Sequence, residues 1–172
     1  ENSIHKFCGK KISIYAAGRT DTGVHAKGQV AHLDLREESL EDKKGKLGKL
    51  TMGVNYYLSR NYKNEVIILN TIKVNNEFHA RFSAKNRVYN YLILNKRVSS
   101  PLNRNSSWRV PLPLNTKLMI KGSKLLIGKH NFEAFRSVEC QSKSSIKTID
   151  KILINQNKDF ISIKIKAKSF LM

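Results

Sequence analysis

The sequence predicts an α+β fold, with an antiparallel or mixed sheet carrying helices on one face. Ile161, Ile163, Ile165 and Ala167 alternate with Ser162, Lys164, Lys166 and Lys168, a period of two that gives one strand an apolar and a basic side. Burial on one side only is the habit of antiparallel and mixed sheets, since strands of all-parallel sheets are apolar on both faces. Short strand and helix patterns alternate along the chain, without a repeat, a low-complexity tract or a clear linker. Such a chain packs its helices on a sheet face. The cationic face is left for a polymer.

Taken in order, Ile12 to Ala16 reads as a strand and runs into the glycine-punctuated loop from Ala17 to Ala26, after which Gln29 to Leu35 reads as a second strand. Leu47, Leu50, Val54 and the pair Tyr57 and Leu58 recur at helical spacing, although Gly45, Gly48 and Gly53 lower the propensity of that helix. Val66 to Val74 is β-branched and predicts a third strand. Arg87 to Leu94 predicts a fourth, Pro101 to Pro113 a loop, and Leu118, Gly122, Leu125 and Leu126 a second helix. Two strands, near Ile149 to Ile154 and Phe160 to Ala167, complete the pattern. A boundary is expected at Asn75 to Glu77, dividing residues 1–76 from residues 77–172.

Of 172 residues, 32 are Lys or Arg and 13 are Asp or Glu, a formal charge of +19, and 40% are hydrophobic. That composition supports a folded core and excludes a disordered basic tail. The charge favours a phosphate polymer as partner, because each neutralised phosphate releases condensed counterions. Lys164, Lys166 and Lys168 are candidates for backbone contact, against the plainer reading of solvated charge. No apolar run approaches the roughly 20 residues of a membrane helix. Cys8 and Cys140 stand far apart without metal-ligand spacing, so neither a zinc site nor a disulfide framework is expected, and the cytoplasm is the expected compartment.

The chemistry is expected between Gly18 and Gly28, where three glycines bracket Arg19, Asp21 and His25 in a loop too polar to be core. The spacing fits neither GxGxxG nor a P-loop. If the loop is extended, Arg19 and Asp21 leave it on the same side. A guanidinium within about 4 to 6 Å favours the charged carboxylate, which suits a nucleophile or a cation stabiliser rather than a general acid. The plainer alternative is a turn with an exposed ion pair. Asp21-Thr22-Gly23 also spells the aspartic-protease tripeptide, but a protease needs two carboxylates sharing a proton. The chain has one such segment.

Gly18-Arg19-Thr20-Asp21-Thr22-Gly23-Val24-His25-Ala26 and Gly28-Gln29-Val30 resemble the signature of the TruA-type tRNA pseudouridine synthase family. In order follow Gly53-Val54-Asn55, the segment Phe78-His79-Ala80-Arg81-Phe82-Ser83-Ala84, Tyr89-Asn90-Tyr91, His130-Asn131-Phe132-Glu133-Ala134-Phe135-Arg136, Cys140-Gln141-Ser142 and Lys168-Ser169-Phe170-Leu171. The resemblance implies a pseudouridine synthase fold of two related α/β halves around an antiparallel sheet, and a homodimer without a cofactor or metal. It implies isomerisation of uridine to pseudouridine at positions 38 to 40 of the tRNA anticodon stem-loop. By the same resemblance Asp21 is the nucleophile, Arg19 the arginine of its motif and Tyr89 the residue that stacks on uracil.

Arg81 is expected to bind RNA or to position its loop, His25 and His79 to make structural hydrogen bonds, and Phe132 and Phe135 to lie under the second helix. The family's initial strand and its final helix, which carries a basic residue, have no counterpart here, so a fragment is expected. A catalytically silent tRNA-binding protein ranks second, because it would not need Asp21, and a protease ranks last.

Overall fold

The computed structural model describes residues 1–18, 20–35, 46–63, 65–138, 140 and 142–171. The chain forms two compact units, one from Glu1–Thr20 with Ala26–Ser83 and the other from Asp21–His25 with Ala84–Met172.

In the first unit, helix α1 (Asn2–Cys8) packs on helix α2 (Lys46–Tyr62). Ile4, Leu50 and Val54 form the buried centre, with Cys8, Ile12, Ile14, Leu33, Leu35, Leu58 and Ile68 around it. Helix α1 ends at Gly9, whose φ of 69° is the left-handed cap that lets its N–H reach the His5 carbonyl. Gly53 makes room for Phe7: a Cβ there would meet the Phe7 ring, which would have to shift. The glycine that weakens α2 on propensity is therefore what lets α1 come close.

Two of the expected strands shrink here. Strands β1 (Tyr15–Ala16) and β2 (Ala31–His32) pair antiparallel over two residues each. The expected strand Val66 to Val74 belongs to no sheet among the described residues. Side chains of α2 take up its main-chain groups: Asn55 Nδ2 donates to the Ile68 carbonyl and the Ile68 N–H donates to Asn55 Oδ1, both at 2.8 Å. The Thr51 and Thr71 hydroxyls lie 2.7 Å apart beside them. An amide side chain has replaced the neighbouring strand.

The second unit is a five-stranded sheet in the order β4-β3-β7-β6-β5, from β3 (Arg87–Leu94), β4 (Trp108–Arg109), β5 (Gly128–Asn131), β6 (Ile146–Asn157) and β7 (Phe160–Ala167). All pairings are antiparallel except β3 with β4. Helix α3 (Thr116–Ser123) starts on an Asn115 cap whose side chain accepts the Leu118 N–H, and it runs on into a 3₁₀ turn, Lys124–Leu126. It lies along β6, where Thr116 Oγ1 bonds Gln156 Oε1 at 3.0 Å.

The β3 and β7 boundaries match the sequence reading, and the alternation along β7 leaves it little freedom in register. The short strands β4 and β5 have no counterpart in that reading. Polar Gly128 to Asn131 lacks a strand signature, and β6 recruits it through four cross-strand pairs. Phe135 is 71% exposed rather than core, and meets Phe132 edge to face at 6.0 Å. A 3₁₀ turn at Glu133–Phe135 ended by Arg136 carries its ring outward, and Arg136 Nη2 donates to the Ser142 carbonyl.

Candidate active site and its supports

Asp21 opens a turn closed by the Val24 N–H, which donates to the Asp21 carbonyl at 3.0 Å. Gly23, the third residue, has φ of +82°, the value that a type II turn demands there and that an L side chain resists. The loop folds this way because of its Asp-Thr-Gly-Val order. His25 Nε2 lies 3.3 Å from the Asn105 carbonyl and donates to it, tying the end of the turn to the loop before β4. Asp21 is exposed, so its carboxylate is open to a ligand. Arg19 lies outside the described residues.

Tyr89 is the third residue of β3, paired with Ile165 of β7, and is 42% exposed. Its ring meets Phe170 at 4.7 Å and 79°, an edge-to-face contact. Arg87 Nη1 donates to the Lys168 carbonyl at 2.8 Å and so holds the segment that carries Phe170. Sequence reasoning singles out neither support as a site residue, although Phe170 falls in one of the segments that resemble the family. The available signal is Phe170 itself, an aromatic placed just after a strand that must pair somewhere.

Directly paired residues of an antiparallel ladder share a face. Tyr89 therefore projects with Ile165, and Tyr91 with Ile163, whereas Lys164 pairs with Asn90 and Lys166 with Val88. The expected cationic strand face exists, with both lysines exposed, but the tyrosine projects from the opposite one. Lys168 follows β7 and is exposed. Asp21, Tyr89 and the three lysines all belong to the second unit, and Arg81 to the first.

Arg81 is exposed in the turn from Phe78 to Ser83. The Ser83 N–H donates to the His79 carbonyl at 2.8 Å, and the His79 N–H donates to Ser83 Oγ at 3.0 Å, closing the turn at both ends. His79 makes structural hydrogen bonds, as does His25. Among the described residues no three His, Cys, Asp or Glu side chains are grouped to hold a metal ion, and no helix is long and apolar enough to cross a membrane.

A family model described as "tRNA pseudouridine synthase" matches residues 123–172. Over 171 residues, 99% of the chain, it is 43% identical to the tRNA pseudouridine synthase A of Wolbachia pipientis wMel and 47% identical to that of Anaplasma phagocytophilum. Identity to the Mesorhizobium japonicum protein of the same name is 40% over the same length. The chain spans 66% of the length of each of these three relatives.

Proposed function

Because the chain belongs to the tRNA pseudouridine synthase A family, we propose that the whole protein isomerises uridine to pseudouridine in the anticodon stem-loop of tRNA, at positions 38 to 40. The observation that carries this reading is the 40 to 47% identity along 99% of the chain. Two features of the second unit support it: an exposed carboxylate on a glycine turn, and an aromatic platform of Tyr89 on β3 backed by Phe170.

The reaction moves the ribose link from N1 of uracil to C5. The N1–C1′ bond breaks and its electron pair leaves with the base, while positive charge develops at C1′. The Asp21 carboxylate stabilises or captures that centre, as carboxylates do in glycosidases. The uracil turns over without leaving, C5 bonds to C1′, the C5 proton is lost and N1 takes one up. Nothing is oxidised or reduced, so no cofactor is called for. Tyr89 retains the freed base by its ring face, a contact worth about 1 to 3 kcal/mol. Its edge-to-face partner Phe170 keeps that ring from turning. A uridine at a stem edge must first be flipped out, at a cost of a few kcal/mol, which phosphate contacts made by basic residues such as Arg81 offset, while Arg19, the arginine of the motif, acts with Asp21 in catalysis. Lys164, Lys166 and Lys168 serve more distant phosphates in this reading, and the protein works as a cytoplasmic homodimer.

The test is Asp21→Asn in the whole protein, with tritium release from C5-labelled tRNA as the assay. Turnover is expected to vanish while tRNA affinity stays within a few fold. Near-normal release would sink the assignment.

A further inference from the structure

Three successive main-chain amides in the Phe78 to Ser83 turn end on imidazoles. The Ala80 N–H donates to His32 Nδ1 at 3.2 Å, the Arg81 N–H to His79 Nδ1 at 3.2 Å, and the Phe82 N–H to the same atom at 3.4 Å. An N–H can only donate, so both Nδ1 atoms are acceptors and both rings carry any single proton on Nε2. The rings are also fixed by their neighbours. His32 stacks on Tyr15 at 5.0 Å and 21°, His79 lies 4.6 Å from His32, and the Phe82 ring lies 4.3 Å from His79. Ala80, at the centre of the turn, is buried.

A turn of this length has few main-chain bonds of its own, so its backbone is set by whatever accepts its amides. Here the acceptors are two packed rings. The first of the two amides that share His79 belongs to Arg81, exposed, with Phe82, 79% exposed, next to it. We propose that His79, seconded by His32, is a positioning residue for RNA binding: it fixes the backbone from which Arg81 is presented to a tRNA phosphate. The proposal rests on the reading of Arg81 as an RNA-binding residue and adds the device that aims it.

The experiment is a double-mutant cycle in the whole protein, reading KM for tRNA and kcat separately. His79→Ala should raise KM about 10-fold, the scale of one or two broken hydrogen bonds, with kcat within twofold. His79→Asn should restore most of the loss, because Oδ1 of Asn stands as many bonds from Cα as Nδ1 of His. His79→Gln, whose amide reaches past that point, should not. In an Arg81→Ala background, His79→Ala should add less than twofold, since what it aims has gone.

A full His79 effect in that background would overturn the positioning role and leave Arg81 as an RNA contact. An unchanged KM in Arg81→Ala alone would overturn both. If His79→Ala fails to fold, the Asn and Gln variants carry the comparison: equal KM values for the two would refute the Nδ1 acceptor.

Discussion

In the second unit, β3 and β7 pair over eight residues each through main-chain bonds, whereas in the first the paired strands are two residues long and side chains take up main-chain groups that a sheet would use. Asn55 stands in for a strand at Ile68, and His32 and His79 accept the amides of the Arg81 turn. A ladder shares its cost over many equivalent bonds, and removing one exposed side chain changes little. A backbone held by one asparagine has no such reserve. The comparison teaches where substitutions should matter: at side chains that carry main-chain bonds in the first unit, and at ring contacts in the second.

The largest effect is expected at Tyr89, where the ladder supplies position, the ring face would hold the freed base and the hydroxyl would assist proton removal from C5. Tyr89→Leu should lose both base retention and rate. Tyr89→Phe keeps the face, so tRNA binding should survive while turnover falls by about 100-fold or more, the lower end of what general acid or base catalysis supplies. Wild-type turnover in the Phe variant, measured by single-turnover tritium release, would leave Tyr89 as a stacking platform only.

Asn55→Leu keeps the branching and the number of side-chain heavy atoms but strands the Ile68 N–H and carbonyl. Unfolding in urea should show a loss of about 2 kcal/mol, within the cost of unsatisfied partly buried groups. Ser162→Ala, which removes an exposed 2.8 Å bond to Asn90 on the sheet, should cost about 0.5 kcal/mol or less. Similar losses for the two would break the contrast between the units.

Gly53→Ala gains about 1 kcal/mol of helix propensity, yet the new methyl meets Phe7, and overpacking costs about 1 to 3 kcal/mol. A small net destabilisation is expected, and it should turn into a gain in a Phe7→Ala background. A stabilised single variant would show that α1 yields freely.

The smallest effect is expected on the lysine face. Removing Lys164 and Lys166 together should lower tRNA affinity a few fold at low salt, shrink the salt slope by about one for each phosphate no longer neutralised, and leave kcat alone. A large fall in kcat would mean that the face opposite Tyr89 takes part in the uridine site after all.

How much of this is legible in the sequence depends on the kind of signal. The strand Phe160 to Ala167 can be read to its last residue, because period-two alternation states both the element and the face it buries, and Arg87 to Leu94 because its run of aromatic and aliphatic residues suits a strand. Asp21 stands out because it is a carboxylate placed among glycines and an arginine in a polar loop between two strand patterns. The strand expected at Val66 to Val74 is a fair inference from β-branched residues, but propensity describes a segment and not its neighbour. Asn55 makes the difference, and an asparagine in a helix has no pattern that announces a cross-bond to Ile68.

Residue order and local periodicity suffice for the family, the α+β class, the long strands of the sheet and the candidate residues Asp21, Tyr89 and Arg81, since each of these is a property of a segment or a motif. They do not say that Tyr89 and the lysines project from opposite faces, that Phe170 backs the tyrosine, that Gly53 makes room for Phe7, or that two histidines hold the Arg81 turn. Each of those depends on which distant residue is brought alongside, and the pairing register of β3 with β7 and the packing of α1 on α2 are what bring it there.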